Sequence, residues 1–322
     1  MSNLSNYAGI DVSKKTFDVA IEQDGRFHHH QFMNDEKGFK AFISILPDGY
    51  QCVMEATGVY YLRLATFLYE QEIKVSVVNP LVIKRFSQMQ LNRAKTDKAD
   101  AKMICRYAQM QEPGTWKPET AHVLELKQNQ AAIENFISIK TSLINQLEAF
   151  KHSTIRNSLL EKSIKCMLVK TAKEIKNLEQ RMQQIVEENY TEMFNQLKSI
   201  PGIGNKTAIL LIAITDGFKK FTSAKKLSCY IGINPRIFES GTSIKGKSKI
   251  SKMGAGRMRA LLFMSSMSCL SCNHACKQLY NRLKEKGKNG RLALIAVANK
   301  LVKQAFAIAT KGEYYNANFS SK

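Results

Sequence analysis

Between Thr120 and Gln196 the chain contains no glycine and no proline, and apolar residues recur there at spacings of three and four. Glycine and proline are the residues that most often end helices, so a run this long without them is confined to long helices. Leu124, Leu126, Ile133, Ile137, Leu143 and Leu147 form one apolar series, and Leu168, Ile175, Leu178, Met182 and Ile185 a second. An antiparallel pair or coiled coil with a hinge at His152-Ser153-Thr154 fits both. Such a segment works as a spacer, as a dimerisation arm, or as both. It splits the chain into residues 1–115, a helical linker and oligomerisation region at 116–196, and a C-terminal part at 197–322.

The N-terminal part has a different texture. Asn6 to Val12 and Thr16 to Glu22 read as strands, Asp24-Gly25 as a hairpin turn, and Arg26 to Met33 as the returning strand. His28-His29-His30 lies in that third strand. Neighbouring strand residues face opposite sides, so the three cannot share a ligand face and are expected on a solvated strand. Glu36 to Leu46 reads as a helix, Gln51 to Glu55 as a strand, Tyr60 to Glu70 as a helix and Lys74 to Val78 as a strand. A helix follows Asn79-Pro80, and another starts after Thr96, a suitable N-cap. Three hairpin strands followed by alternating helices and strands belong to an α/β layer fold.

The C-terminal part opens on Ser199-Ile200-Pro201-Gly202-Ile203-Gly204-Asn205-Lys206-Thr207, a tight turn into an apolar helix. It resembles a helix-hairpin-helix element, in which glycine amides and a helix N-terminus bind a DNA phosphate. The bland alternative is a glycine turn between two core helices. Gly202, Gly204, Lys206 and Thr207 are the candidate phosphate contacts. Phe238 to Gly254 then gathers hydroxyls, glycines and lysines: Ser240, Ser243, Lys245, Lys247, Lys249 and Lys252, with one acid, Glu239. By itself this is either a solvated basic loop or a phosphate-binding loop with a nucleophilic serine. From Gly241 to Lys303 there are fourteen Lys or Arg, including Arg257 and Arg259, against the single acid Glu285. The remainder reads as helical.

Such an imbalance is general. The formal net charge is +21 over 322 residues, which calls for a polyanionic partner, nucleic acid first. No apolar run approaches the roughly 20 residues of a membrane span, and Asp11 and Lys14 interrupt any export signal, so a cytoplasmic, nucleoid-associated protein without membrane contact is expected. Seven cysteines in such a chain are expected as free thiols. Cys269, Cys272, His274 and Cys276 have no second ligand pair elsewhere and fit a helix-like run from Met258 to Leu283 better than a zinc site.

Four carboxylates stand out in this basic background. Asp11 lies near the end of the first strand and Glu55 ends the fourth, while Asp97 and Asp100 share a helix face. In an RNase H-like sheet the first and fourth strands are neighbours and the last helix crosses their ends, so the four converge. Converging carboxylates repel one another unless cations lie between them, and a pair of Mg²⁺ ions suits them. Two such ions clamp the attacking and leaving oxygens of a phosphodiester.

Gly9-Ile10-Asp11-Val12-Ser13-Lys14, Met54-Glu55-Ala56-Thr57-Gly58, Lys95-Thr96-Asp97-Lys98-Ala99-Asp100-Ala101 and Glu239-Ser240-Gly241 occur in this order. Together with Pro201-Gly202-Ile203-Gly204 and Ile250-Ser251-Lys252-Met253-Gly254, they resemble the DEDD transposases of insertion-sequence family 110 and the related Piv-type DNA invertases. The resemblance implies a RuvC-like domain whose Asp11, Glu55, Asp97 and Asp100 hold Mg²⁺. It implies a mainly helical C-terminal transposase domain in which Ser240 attacks DNA and forms a phosphoserine link. It further implies a composite site across a dimer or tetramer, and a bridge RNA that pairs with donor and target DNA. Two other readings stay open. One is a RuvC-like junction nuclease that uses water, with Ser240 only a DNA contact; the other is an inert nucleic-acid-binding protein.

Overall fold

The computed structural model describes residues 6–91, 96–155, 157–236, 239–240, 244–245, 249–251 and 253–317, with backbone alone at 236, 239–240, 244–245 and 249. The chain forms two units, Met1–Pro118 and Glu119–Lys322.

The first unit begins with β1 (Tyr7–Val12), β2 (Thr16–Gln23), β3 (Arg26–Met33), α1 (Glu36–Ile45) and β4 (Gln51–Glu55). It continues with α2 (Tyr61–Glu70), β5 (Val75–Val78), α3 (Pro80–Met89) and α4 (Asp97–Gln111). The five strands form one sheet in the order β3-β2-β1-β4-β5. β1 pairs antiparallel with β2 and parallel with β4, and β4 pairs parallel with β5. Helices cover both faces, which explains why β1 is apolar at almost every position rather than alternating. Ala8, Ile10, Phe17, Val19, Cys52 and Met54 pack with Phe39 and Phe42 of α1 and Leu64 and Leu68 of α2. Tyr7, Ala20, Val53 and Val78 pack on the opposite face with Ala101, Ile104 and Cys105 of α4.

The second unit begins with a hairpin of two long helices, α5 (Ala121–Lys151) and α6 (Ser158–Asn189), so the hinge falls where His152-Ser153-Thr154 was expected. The open end of the hairpin is buried in the unit, and Ile164 is buried near the hinge. Leu126, Ile133, Met182, Ile185 and Val186 enter the core of the unit, and Arg181 binds Glu125 with two hydrogen bonds of 2.7 and 3.2 Å. Towards the hinge, Ile144, Ile155, Leu159 and Val169 are exposed.

There follow α7 (Thr191–Lys198), α8 (Asn205–Thr215), α9 (Ala224–Ile231) and four two-residue strands: β6 (Pro235–Arg236), β7 (Glu239–Ser240), β8 (Ile244–Lys245) and β9 (Lys249–Ile250). β6 pairs with β9 and β7 with β8, so the basic stretch is a nested antiparallel ribbon rather than a plain loop. The unit ends with α10 (Gly256–Cys269), α11 (His274–Glu285) and α12 (Gly290–Lys311). The helix-like run from Met258 to Leu283 is thus two helices. Asn273 caps α11, its side chain accepting from the Cys276 amide at 3.1 Å and donating to the Pro201 carbonyl at 3.3 Å. Cys269 and Cys276 are buried at this corner.

Among the described residues α12 has the length and apolar composition of a membrane span, a run the sequence reading did not expect. Val297, Leu301, Val302 and Ala305 place one side of it in the core.

Candidate active site

Alternation along the strands decides which face each carboxylate takes. Tyr7, Ala20 and Val53 lie under α4, so Asp11, Asp18 and Glu55, each an even number of residues away, share that face. Asp11 is directly opposite Asp18 in the β1–β2 ladder. Ile10 pairs with Met54, which sets Asp11 and Glu55 side by side at the carboxyl ends of two parallel strands.

α4 brings the other two acids to the same end. The Cys105 thiol donates to the Tyr7 carbonyl at 3.2 Å. A Cβ on Gly9 would collide with the Ala101 carbonyl oxygen and the Cys105 amide nitrogen. The helix therefore runs antiparallel to β1 in close contact, and its first turn, with Asp97 and Asp100, lies at the Asp11 end. Thr96 caps that turn, its hydroxyl accepting from the Ala99 amide at 3.2 Å. Carboxylates in a first helical turn also gain from the helix dipole.

Burial is the largest cause that pushes the Asp11 carboxyl from its ordinary 3.8 up to about 6, followed by the charges of Asp100, Asp97, Glu55 and Asp18. Glu55 accepts a 2.5 Å hydrogen bond from Thr57. Among the described residues, Asp11, Glu55 and Asp97 take no part in an ion pair. All of the cluster's donors are oxygens, the set that suits a hard divalent cation. No three His, Cys, Asp or Glu side chains among the described residues are gathered tightly enough to enclose an ion.

Asp18 was missed in the sequence. It is 4% exposed, and its oxygens accept from His29 Nε2 at 2.6 Å and Gln31 Nε2 at 3.1 Å. The signal was present: a two-residue turn at Asp24-Gly25 fixes the β2–β3 register and sets Asp18 opposite Gln31. The histidine run is corrected accordingly. His28 and His30 are exposed, whereas His29 belongs to this buried polar network.

In the second unit the candidates separate. Gly202 has φ +101°, and a Cβ there would collide with Cys269, so this glycine is required by packing against the end of α10. Gly204 is the N-cap of α8 and faces open space. Lys206 is exposed and ion-paired with Glu179 at 2.5 Å. Thr207 is 4% exposed and shares a 3.1 Å hydrogen bond with Ser265. Its hydroxyl is used inside the core, which removes it from the expected phosphate contacts. Arg259 donates to the Ile231 carbonyl at 2.8 Å at the end of α9, so it fastens the same junction where Gly254 packs against Tyr230. Arg257 is half-buried, and its Nε has no hydrogen-bond partner among the described residues. Ser240 ends β7 opposite Ile244 of β8. Lys245 and Lys249 lie in β8 and β9; Lys247 and Lys252 lie outside the described residues.

Residues 8–152 match a DEDD family described as Transposase, and residues 195–281 match the Transposase IS116/IS110/IS902 family. The chain is 31% identical to the pilin gene-inverting protein of Moraxella bovis, over 94% of this chain and 95% of that one. It is 23% identical to the transposase for insertion sequence element IS1111A of Coxiella burnetii, over 95% of this chain and 90% of that one. An IS110 insertion-element protein of Streptomyces coelicolor is 32% identical over 38% of this chain and 30% of its own length. The chain therefore belongs to the IS110 family of transposases, related to the pilin gene inverters, and is a DNA transposase or recombinase.

Proposed function

We propose that this enzyme performs site-specific transposition by cutting and rejoining DNA through Ser240, with Asp11, Glu55, Asp97 and Asp100 as the holders of Mg²⁺. One observation carries the reading: Asp11 and Glu55 end adjacent parallel strands of a β3-β2-β1-β4-β5 sheet, and the first turn of α4 adds Asp97 and Asp100 on the same face. That strand order supports an RNase H-like, RuvC-like domain. The raised Asp11 supports a cation site, because a bound cation restores the ionised form that burial and its neighbours oppose. When bound, Mg²⁺ supplies Lewis-acid stabilisation of charge on the phosphodiester oxygens.

The protein residues have distinct tasks. Thr57 and the β4 backbone hold Glu55 in place, and the tight Gly9 contact fixes α4. Ser240 Oγ attacks the scissile phosphorus. Its O–P bond forms as the bond to the leaving DNA oxygen breaks, and the hydroxyl proton passes to a base or to solvent. The leaving oxygen takes up a proton and departs as the free hydroxyl of its strand. In the second step a hydroxyl from the joining strand attacks the phosphoserine and releases Ser240, so phosphodiester energy is conserved without ATP. The exposed apolar residues near the α5–α6 hinge support a dimer or tetramer arm. The excess of positive charge supports a structured bridge RNA as a second polyanionic partner beside DNA.

The test is a suicide DNA substrate incubated with Mg²⁺. Wild type is expected to give a covalent protein–DNA adduct, and Ser240→Ala none; strand cleavage that survives Ser240→Ala without an adduct would establish water as the nucleophile. Inversion is the second reading, favoured by the higher identity to the pilin gene inverter than to the IS1111A transposase. An assay that scores excision circles against inverted segments separates the two.

A further inference from the structure

A groove of about 830 Å³ in the second unit lies beside the root of the ribbon that carries Ser240. α12 builds its floor. Arg291, Ile295, Asn299 and Lys303 recur every four residues along one stripe of the helix and line the groove, with Leu292 beside them. The opposite stripe, Val297, Leu301 and Ala305, is buried in the core. Leu279 of α11 and Pro235 and Ile250 at the ribbon root complete the apolar walls. Among the described residues, Arg282, Lys288, Arg291, Lys300 and Lys303 line the same space, with no acid beside them in the lining.

Two demands follow from this lining. Five cations in one groove call for an anion that carries several charges. An apolar floor, with Leu292 47% exposed, calls for an apolar face. Duplex DNA meets the first demand only, because its base faces are stacked inside. An unpaired strand meets both, with phosphates outside and base faces free. Among the described lining residues the uncharged polar side chain is Asn299, and both ends of its amide are engaged within the protein. Its Oδ1 accepts from Ser228 at 3.4 Å and its Nδ2 donates to Asn234 at 3.3 Å. The family acts on DNA, so a DNA strand is the occupant this lining is matched to.

We propose that this groove holds an unpaired DNA strand, its bases on the α12 floor and its phosphates on the surrounding cations. The proposal rests on the DNA-recombinase activity of the family and is independent of which group is the nucleophile. Strand exchange at the ribbon requires separated strands, and the groove begins where Pro235 and Ile250 anchor β6 and β9.

The test is fluorescence anisotropy on the full chain in EDTA, so that binding is read without chemistry. The probes are a labelled single DNA strand, its duplex, the RNA of the same sequence, and anionic lipid vesicles as competitor. Wild type is expected to prefer the single DNA strand over the duplex, and the RNA strand is the control on which Leu292→Ser is expected to cost less affinity than on the DNA strand. Leu292→Ser keeps the charge and is expected to weaken the single strand about ten-fold and leave the duplex unchanged. Arg291→Gln combined with Lys303→Gln is expected to weaken both and to reduce the salt dependence of single-strand binding by about 1.4 in the log–log slope. Single-strand affinity unmoved by Leu292→Ser in a chain with wild-type melting overturns the proposal, as does a larger Leu292→Ser loss on the RNA than on the DNA strand or displacement of the strand by vesicles. A photoreactive thymine analogue in the strand gives a second readout: crosslinks are expected in the 279–303 segment, and crosslinks confined elsewhere refute the site. Loss of the Ser240 adduct with binding intact bears on the chemistry alone, so the two readings fail separately.

Discussion

Asp18 stands directly across from Asp11 in the β1–β2 ladder, and both of its oxygens are held from β3, by His29 at 2.6 Å and Gln31 at 3.1 Å. Cross-strand partners have Cβ atoms about 5 Å apart. A buried carboxylate at that distance adds negative charge beside Asp11, and each of its oxygens already accepts a hydrogen bond from β3. Asp18 therefore acts on Asp11 from the neighbouring strand of the same face.

Replacing Asp18 tests this division. Asp18→Ala leaves His29 and Gln31 without their acceptor, and a loss of about 1–3 kcal/mol in stability is expected. Asp18→Asn retains one acceptor and is expected to lose less. Urea unfolding of the three proteins measures the order. Equal stability of all three would show that the network contributes nothing.

Asp11 gives the fold a definite pH dependence in the absence of divalent cations. Its carboxyl titrates near 3.8 when unfolded and at about 6 when folded, so the folded state holds its proton more tightly. Stability is then highest below about 3.8, falls as pH rises through the interval up to about 6, and is flat beyond it. Asp11→Asn removes the titrating group. The variant is expected to melt higher than wild type at pH 7 in EDTA and to lose this slope. Mg²⁺ is expected to raise the wild-type melting temperature more at pH 7 than at pH 5, since protonation at the lower pH competes with the cation. Melting curves at the two pH values, with and without Mg²⁺, give the result.

Gly9 sets the distance between β1 and α4. A methyl group there meets backbone atoms of Ala101 and Cys105, which cannot rotate away. Gly9→Ala must push the helix off the sheet, and it carries Asp97 and Asp100 with it. A loss of about 1–3 kcal/mol from overpacking is expected, together with loss of adduct formation even where the protein remains folded. Denaturant unfolding and the suicide-substrate assay, run on the same preparation, read both effects.

How far the sequence disclosed this arrangement differs between the units. Strand ends, the Asp24-Gly25 turn and the Thr96 cap are local signals, and they led to the strand and helix positions around Asp11, Glu55, Asp97 and Asp100. Asp18 escaped because an acid in the middle of a strand has no local mark; its role depends on pairing with a strand whose sequence reads as solvated. In the second unit, glycines and hydroxyls were read as ligand contacts from composition. Gly202 and Thr207 answer instead to Cys269 and Ser265, more than fifty residues away. Such non-local packing partners cannot be read from a motif. The ribbon around Ser240 shows the same limit, since its two-residue strands are too short for any periodicity to register.

Thr207 and Gly202 should therefore behave as core residues. Thr207→Val keeps the shape and removes the hydroxyl, so Ser265 loses its partner; a destabilisation of about 1–2 kcal/mol is expected, with duplex DNA affinity unchanged. Gly202→Ala combines a left-handed φ with a collision at Cys269, and it is expected to lower stability by several kcal/mol. Gly204→Ala faces open space and is expected to change stability by about 1 kcal/mol or less. Thermal melts rank the three, and anisotropy with duplex DNA shows whether affinity follows. A Thr207→Val protein that melts like wild type but binds DNA ten-fold more weakly would return that hydroxyl to the phosphate contacts.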